Sequence, residues 1–359
     1  MATESNHGSD DGPKDGSTAG LDPARLTPWF EHYVASAVAP FDCTLIAGGH
    51  SNLTYRIRDA VGTSRALRRP PTGPFPRGAH DVLREARIIG ALADTPVRVP
   101  PVIATCDDDS IIGAPFYVMG WVDGQIVDRP ALVEKHLATP ELRERAAFEL
   151  VDQIAHLHKL DVDAIGLGNL GRREDYLDRQ LSRLRRVWDE SKTRELPIIE
   201  QLHARLVEQR PPQHHTGLVH ADFRLGNVML DAEGCALAVL DWELCAIGDV
   251  LVDFATFLIN WEEPTDPWQS VWMQEPPTRV GGFPGREALI RRYAERTGFE
   301  LQQINYYRAF CFWRIAVIAE GVKRRYESGA MGSQTTDPQS LDWRVRERAR
   351  LAEWFLDQA

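Results

Sequence analysis

The chain has 359 residues, 43% of them hydrophobic, and a formal net charge of −11. That is enough apolar content for a sizeable core in one bilobal unit or two domains, and the acidic balance argues against broad nucleic-acid binding. No run approaches eighteen apolar residues, so no membrane span is expected.

Residues 1 to about 20 are rich in Ser, Gly and Asp and read as a disordered tail. They lack a charged segment followed by an apolar one, so they are not a signal peptide. Leu45-Ile-Ala-Gly48-Gly49-His-Ser51-Asn52-Leu-Thr-Tyr55-Arg-Ile57 reads as strand, small-residue turn, strand. Glycines and short polar residues let backbone N–H groups approach phosphate oxygens, although two glycines between strands also make a plain hairpin. The absence of G-x-x-x-x-G-K-[ST] excludes a P-loop. Ser64 to Pro71 forms the next strand. A guanidinium at Arg68 can grip phosphate bidentately or simply end an exposed basic strand. Asp81 to Leu92 is an amphipathic helix with Val82, Leu83, Ala86 and Ile89 apolar, Asp81 near its start and Glu85 within it. Ile111 to Val122 is an apolar strand running into a linker that ends at Gly124.

Farther on, Glu141 to Leu160 and Arg173 to Glu190 read as helices, the second with Tyr176, Leu177, Leu181, Leu184 and Trp188 on its apolar side. Thr216 to His220 is a short apolar run leading into His220-Ala-Asp222-Phe-Arg224-Leu-Gly-Asn227. Val228–Leu230 and Ala236–Leu240 are strands separated by the turn Asp231–Gly234, so Asp241 closes a buried strand. This is the H-x-D-x-x-x-x-N spacing of a kinase loop, followed by Asp241-Trp-Glu243. Phosphoryl transfer needs that set: one Asp accepts the hydroxyl proton, while an Asn and a second Asp hold magnesium against the phosphates. Glu262 to Pro284, rich in Pro, Gly and Trp, reads as a long loop, of a length that serves as a lid or binding segment or is simply mobile. Arg308 to Tyr326 is a third long helix. Cys43, Cys106, Cys235, Cys245 and Cys311 are scattered without C-x-x-C or a His at metal spacing, which fits reduced thiols in a cytoplasmic protein.

Leu67-Arg-Arg-Pro-Pro71, Phe116-Tyr-Val-Met119, Leu218 to Met229, Leu240-Asp-Trp-Glu-Leu244 with Gly248-Asp249, and Gly282-Phe-Pro-Gly-Arg286 resemble the aminoglycoside phosphotransferase-like (APH/choline kinase-type) family. Within it they are most similar to the branch related to the kinase domain fused to some acyl-CoA dehydrogenases, which phosphorylates 4-hydroxyacyl-CoA. The likeness runs from about Leu45 to Tyr326. It implies an α+β, bilobal, protein-kinase-like fold. A tail (1–20) would precede an N-terminal lobe (21–119) with an antiparallel sheet and one helix, a hinge (120–124), and a mainly helical C-terminal lobe (125–359).

By position the resemblance makes Asp222 the base, Arg224 a cation facing the transferred phosphate, and Asn227 and Asp241 the Mg2+ ligands. It assigns ATP to Gly49, Ser51, Asn52, Arg68 and Glu85, with adenine on Met119 and on the backbone of Gly120 and Val122. Glu243 would be an outer-shell group, Asp249 would steady the loop, and His220 would orient its backbone. Three departures stand out: Arg68 in the place of the usual lysine, Ala221 in the place of a glycine, which is mild if its φ is negative, and Gly248-Asp249-Val250-Leu-Val-Asp253, which loses a proline at Val250 but keeps both carboxylates.

The acceptor follows from charge. Aminoglycosides are polycations and call for acidic pockets, whereas an acyl-CoA calls for cations and an apolar channel. Arg179 to Arg186, and Arg314 with Lys323-Arg324-Arg325, suit the second case, as do Trp261, Trp268, Trp272 and Trp313; Glu262, Glu263 and Asp266 suit the first. A hydroxyacyl-CoA or other lipophilic alcohol is therefore ranked ahead of an aminoglycoside. A nucleotide-binding pseudokinase scaffold is the reading from another class, resting on Arg68. The expected partner is a small-molecule hydroxyl substrate, without nucleic acid or membrane. Monomer or homodimer, and ATP or GTP, stay open.

Overall fold

The computed structural model describes residues 20–47, 52–72, 80–328 and 338–359. Within them the chain divides into two compact units, one running to Asp94 and resuming over Val99–Asp123, the other made of Thr95–Arg98 and Gly124–Ala359. The expected tail lies outside the described residues.

The first unit opens with helix α1 (Pro23–Tyr33), started by Asp22, whose side chain accepts the N–H groups of Ala24 and Arg25. Strands β1 (Asp42–Ala47), β2 (Leu53–Arg58) and β3 (Ser64–Arg69) follow, then helix α2 (Val82–Leu92), β4 (Val102–Cys106), a single turn α3 (Asp109–Ile112) and β5 (Phe116–Gly120). The strands form an antiparallel sheet in the order β1-β2-β3-β5-β4. Trp29 and Phe30 of α1 pack on it with Tyr55, Leu67, Phe116 and Val118, all fully or nearly fully buried. Each such side chain contributes on the order of 2 kcal/mol through removal from water. Helix α2 follows the sequence reading: Asp81 accepts from the Arg84 N–H at 2.9 Å, and Val82, Ala86 and Ile89 face inward.

The second unit begins with β6 (Gln125–Ile126) and continues through α4 (Pro130–His136), α5 (Pro140–His158), α6 (Tyr176–Ser191) and α7 (Pro197–Glu208). Next come β7 (Thr216–Val219), β8 (Val228–Leu230), β9 (Ala236–Val239), β10 (Ala246–Asp249), α8 (Val250–Asn260), α9 (Arg286–Thr297), α10 (Ile304–Glu327) and α11 (Pro338–Leu356). Helix α6 starts three residues later than its sequence pattern suggests, because Asp175 stands at φ 53 in the left-handed region. Helix α8 is buried on every side, as its continuous apolar run requires. The 262–284 segment is irregular apart from a 3-10 turn over Pro277–Val280. Strand β7 pairs with β10, not with the neighbouring β8–β9 hairpin, which pairs with β6. This pairing suspends the His220–Asn227 loop between two small sheets.

Candidate functional site

Strand β7 delivers His220 and Ala221 to a carboxylate on the first turn of α8. Asp253 Oδ2 accepts the His220 N–H at 2.7 Å, and its Oδ1 accepts the Ala221 N–H at 2.8 Å. Behind it, His158 Nε2 lies 3.1 Å from Asp253 Oδ2, and His158 Nδ1 lies 2.6 Å from the Tyr293 hydroxyl. Asp253 and His158 are both buried. Burial alone would raise the Asp253 pKa, but bonds from the His158 ring and the His220 N–H outweigh it and hold the carboxyl below its usual range.

The sequence reading gave the loop-steadying role to Asp249; the geometry gives it to Asp253, four residues on. Asp249 instead caps α8, accepting from the Leu251 N–H and from the Tyr307 hydroxyl, each at 3.0 Å. Of this steadying group only the spacing of Gly248-Asp249 and Asp253 signalled anything in the sequence; His158 and Tyr293 had no signal. Burial is the main influence on Asp249 and raises its pKa to about 6, with Leu251, Tyr307 and His214 pulling less strongly downward.

An acid raised in this way is held protonated more tightly by the native state. The stability it contributes is full below its unfolded pKa, about 4, and is lost as pH rises through about 6, a change of roughly 3 kcal/mol. Asp249→Asn keeps an acceptor for the Leu251 cap without a charge. Its urea-unfolding stability relative to the native chain is expected to improve between pH 4 and 7; parallel pH curves for the two proteins would refute this.

Ala221 stands at φ 71, so the substitution for glycine is not mild. The left-handed region costs an L-residue about 1 kcal/mol or more, and the Asp253 bond holds the strained peptide in place. Asp241, at φ 68, shares that conformation.

The loop is closed onto the strand end through Leu240. The Leu240 N–H donates to the Asn227 carbonyl at 2.8 Å, and the Leu240 carbonyl lies 2.8 Å from His220 Nε2. His220 Nδ1 accepts from the Asp222 N–H at 3.3 Å, so a ring protonated at Nε2 satisfies both bonds, and His220 acts on the loop backbone as expected. Trp242 packs 4.8 Å from the same ring. Asn227 Nδ2 donates to Asp222 twice, to the carbonyl at 2.8 Å and to Oδ2 at 2.9 Å. Arg224 Nε lies 3.4 Å from Asp222 Oδ2. A Cβ on Gly226 would come within 2.7 Å of Arg224 Nη1, whose flexible end can move aside, and within 3.0 Å of Asp128 Cβ, so the loop passes close to Asp128 there.

Asp222, Asn227 and the residue before Asp241 are thus tied together by direct bonds. Because Asn227 spends its nitrogen on Asp222, its one metal-ligating atom is Oδ1. Among the described residues no group of three or more His, Cys, Asp or Glu is placed to hold a metal. An amide oxygen with one or two carboxylates is the sparse protein set that Mg2+ accepts, the remainder coming from water and phosphate. The donor set therefore fits that ion.

In the first unit, Arg68 Nε lies 3.0 Å from Glu85 Oε2, and Asn52 Nδ2 reaches the same oxygen at 3.4 Å. Arg68 sits mid-strand opposite Thr54 and Tyr117, and Glu85 is buried on α2. The exposed-strand-end and solvated-helix alternatives are thereby removed. Gly49 and Ser51 lie outside the described residues. Met119 is buried in β5. The Gly120 N–H donates to the Pro101 carbonyl at 2.8 Å, and a Cβ on Gly120 would strike the Pro101 ring, also at 2.8 Å. Val122 follows, half-buried.

Two cavities of the second unit border Asp222. One, about 430 Å3, includes Arg224, Phe257, Trp261, Trp272, Met273 and Arg348 in its wall. The other, about 630 Å3, includes Arg172, Arg179, Arg183, Arg314, Leu244 and Ile318. Several sequence expectations sort out differently here. Glu262 pairs with Arg279 at 2.6 Å, while Glu263 and Asp266 both bind Arg286, so these acids are neutralised within their own segment. Lys323 pairs with Glu327, and Arg324 bonds the Glu190 carbonyl, away from the cavities. Trp313 is core, donating to the Ile199 carbonyl, and Trp268 packs on Trp354. Among the described residues no helix is long and apolar enough to cross a membrane.

A small antiparallel sheet with one orienting helix, a mainly helical second unit, and an Asp–Asn–Asp constellation on its loops define a kinase-like phosphotransferase. The family model described as "Phosphotransferase enzyme family" (APH) matches residues 42–303, and the chain belongs to that family, whose enzymes transfer phosphate to small molecules. Acyl-CoA dehydrogenase family member 10 of Mus musculus is 34% identical over 302 residues, covering 83% of this chain and 28% of that protein. The chain spans about a third of the length of the curated relatives it matches. A Ralstonia eutropha protein assigned as an aminoglycoside phosphotransferase superposes with a TM-score of 0.80 at 29% identity, covering 94% of this chain and 99% of that one. An amicoumacin kinase solved with AMP-PNP, Ca2+ and Ami gives a TM-score of 0.58 at 16% identity, covering 92% and 95%, a likeness of fold alone.

Proposed function

We propose that this chain is an ATP-dependent small-molecule kinase that transfers the γ-phosphoryl group to a substrate hydroxyl. The observation that carries the reading is the double bond from Asn227 Nδ2 to Asp222, with Leu240 clasped by the same loop immediately before Asp241. Asp222 accepts the proton of the attacking hydroxyl; its half-exposed carboxylate borders both cavities from which an acceptor can approach. Arg224, beside it, offsets charge developing on the phosphoryl oxygens. Asn227 Oδ1 and the Asp241 carboxylate would hold Mg2+, which supplies charge neutralisation of the phosphates when bound. In the first unit, Glu85 orients Arg68 toward the α- and β-phosphates, and Asn52 supports that carboxylate. Met119 and the backbone of Gly120 and Val122 receive adenine.

For the acceptor, a hydroxyacyl thioester or another lipophilic alcohol fits better than an aminoglycoside. The acidic residues that would suit a polycation are bound to Arg279 and Arg286. The curated relatives carry the name acyl-CoA dehydrogenase family member. The homologous kinase bound to AMP-PNP and a divalent ion supports the nucleotide and metal parts of the reading.

The test is acceptor-dependent ADP release across hydroxyacyl-CoA and kanamycin-type compounds. Asp241→Asn is expected to cut that release by at least about a hundredfold and to weaken Mg·ATP binding, since a neutral amide loses the charge that holds the ion. Unchanged activity would remove Asp241 from the metal set. Nucleotide binding without turnover of any alcohol would favour a scaffold role.

A further inference from the structure

We infer that Arg348, on helix α11, is a positioning residue for the phosphoryl acceptor, and that it acts by setting the part of the Asp222 cavity wall formed by residues 272–278. The inference rests on the phosphotransferase reading of Asp222 and holds whichever alcohol is the acceptor. Helix α11 lies beyond residue 303, where the match to the family model ends.

Residues 272–278 form a continuous stretch of the wall of the 430 Å3 cavity that Asp222 borders. The flanking parts of the 262–284 segment are tied among themselves and to Arg286. Glu262 accepts from Ser270 and Arg279, Arg279 donates to the Trp268 carbonyl at 2.7 Å, and Glu263 and Asp266 bind Arg286. None of these bonds reaches 271–278. Among the described residues, the side-chain hydrogen bonds that reach it from outside the segment come from α11. Arg348 Nη2 donates to the Val271 carbonyl at 2.8 Å, and Arg344 Nε donates to the Trp272 carbonyl at 3.2 Å. The Arg348 guanidinium also lies over the Trp272 ring, 5.3 Å from its centroid. A planar fork that bonds one carbonyl and covers the next ring fixes a backbone more closely than an ammonium can.

The charge on this side chain does not serve stability. Arg348 is 5% exposed and pairs with no carboxylate among the described residues. Burial, and then the neighbouring Arg344 charge, push its pKa down to about 10, so it stays protonated at neutral pH. A buried cation without a counter-charge destabilises the fold. Trp272 Nε1, Thr278 Oγ1 and Arg348 Nε are also buried without a hydrogen-bond partner among the described residues. Buried polar atoms are normally satisfied, and departures gathered on one cavity wall mark a functional surface.

The test uses the full chain with Mg·ATP and two acceptors, 4-hydroxydodecanoyl-CoA and kanamycin A, and follows whichever is phosphorylated faster. Arg348→Met keeps the side-chain length without the fork. It should raise the acceptor KM at least fivefold and change kcat and the KM for Mg·ATP less than twofold, because a cavity wall grips ground state and transition state alike. Arg348→Lys should lie between Met and the native chain. The Met variant should melt within about 3 °C of the native chain, since removal of an unpaired buried charge offsets the lost carbonyl bond. Hydrogen exchange should quicken at least threefold over residues 271–278 and stay unchanged over 218–230. An unchanged acceptor KM, unchanged exchange over 271–278, or a clearly lower midpoint in both variants overturns the inference. If the native chain phosphorylates neither compound, the kinase reading fails separately. Calorimetric binding of the two compounds to the nucleotide-loaded chain then decides: binding weakened in Arg348→Met supports the positioning role, and equal or absent binding overturns it.

Discussion

Replacing Asp222 with Ala is expected to lower kcat by about a thousandfold, with the Kd for Mg·ATP changed only a few-fold. The size follows from loss of a positioned general base, which contributes two to four orders of magnitude in such reactions. The selectivity of the effect follows from the local bonds. Asn227 Nδ2 keeps its 2.8 Å bond to the residue-222 carbonyl, and Leu240 remains tied to Asn227 and His220, so Asn227 and Asp241 keep their setting. Single-turnover phosphorylation and nucleotide titration, with the thermal midpoint as a folding control, separate the two quantities. Turnover within tenfold of the native chain would show that another group takes the proton.

Asp253→Ala is expected to cost about 4 kcal/mol of unfolding free energy and to depress turnover through the loop. The carboxylate is buried and receives the His220 N–H, the Ala221 N–H and the His158 ring. Each donor left unsatisfied in the core costs about 1–3 kcal/mol, and breaking a buried charged network by removing one partner costs about 3–5 kcal/mol. The left-handed peptide at Ala221 would also lose the bond that holds it. Asp253→Asn should lie between, since one amide oxygen can serve one N–H while its nitrogen faces another donor. Urea unfolding of the three proteins, with kcat measured where each is folded, checks this order. An Asp253→Ala chain as stable as the native one would mean that water or a rotated side chain serves the loop.

Much of the site could be read directly from residue spacing. His220, Asp222 and Asn227 lie within eight residues, and Asp241 follows one hairpin later, so local geometry already brings them near one another. The strands from Leu53 to Arg69 and the helix from Val82 to Leu92 were legible for the same reason: their apolar period and caps are properties of neighbouring residues. Where a segment's period was obscured, boundaries moved. Helix α10 begins at Ile304, and α11 (Pro338–Leu356), dense in arginine, had no clear stripe to announce it.

What the amino-acid order determined by itself is the chemistry: a kinase-like loop, its second carboxylate, and a basic strand followed by an acidic helix. Tertiary structure alone decided which of many equivalent charges meet. It chose Asp253 over Asp249 as the anchor of the loop, gave Glu262 and Asp266 to arginines 17 and 20 residues away, and left Arg183 and Arg314 facing a cavity with no carboxylate paired to them among the described residues. Sequence separation says nothing about such choices, because an ion pair or buried hydrogen bond forms only where packing brings its groups within about 3 Å and removes water.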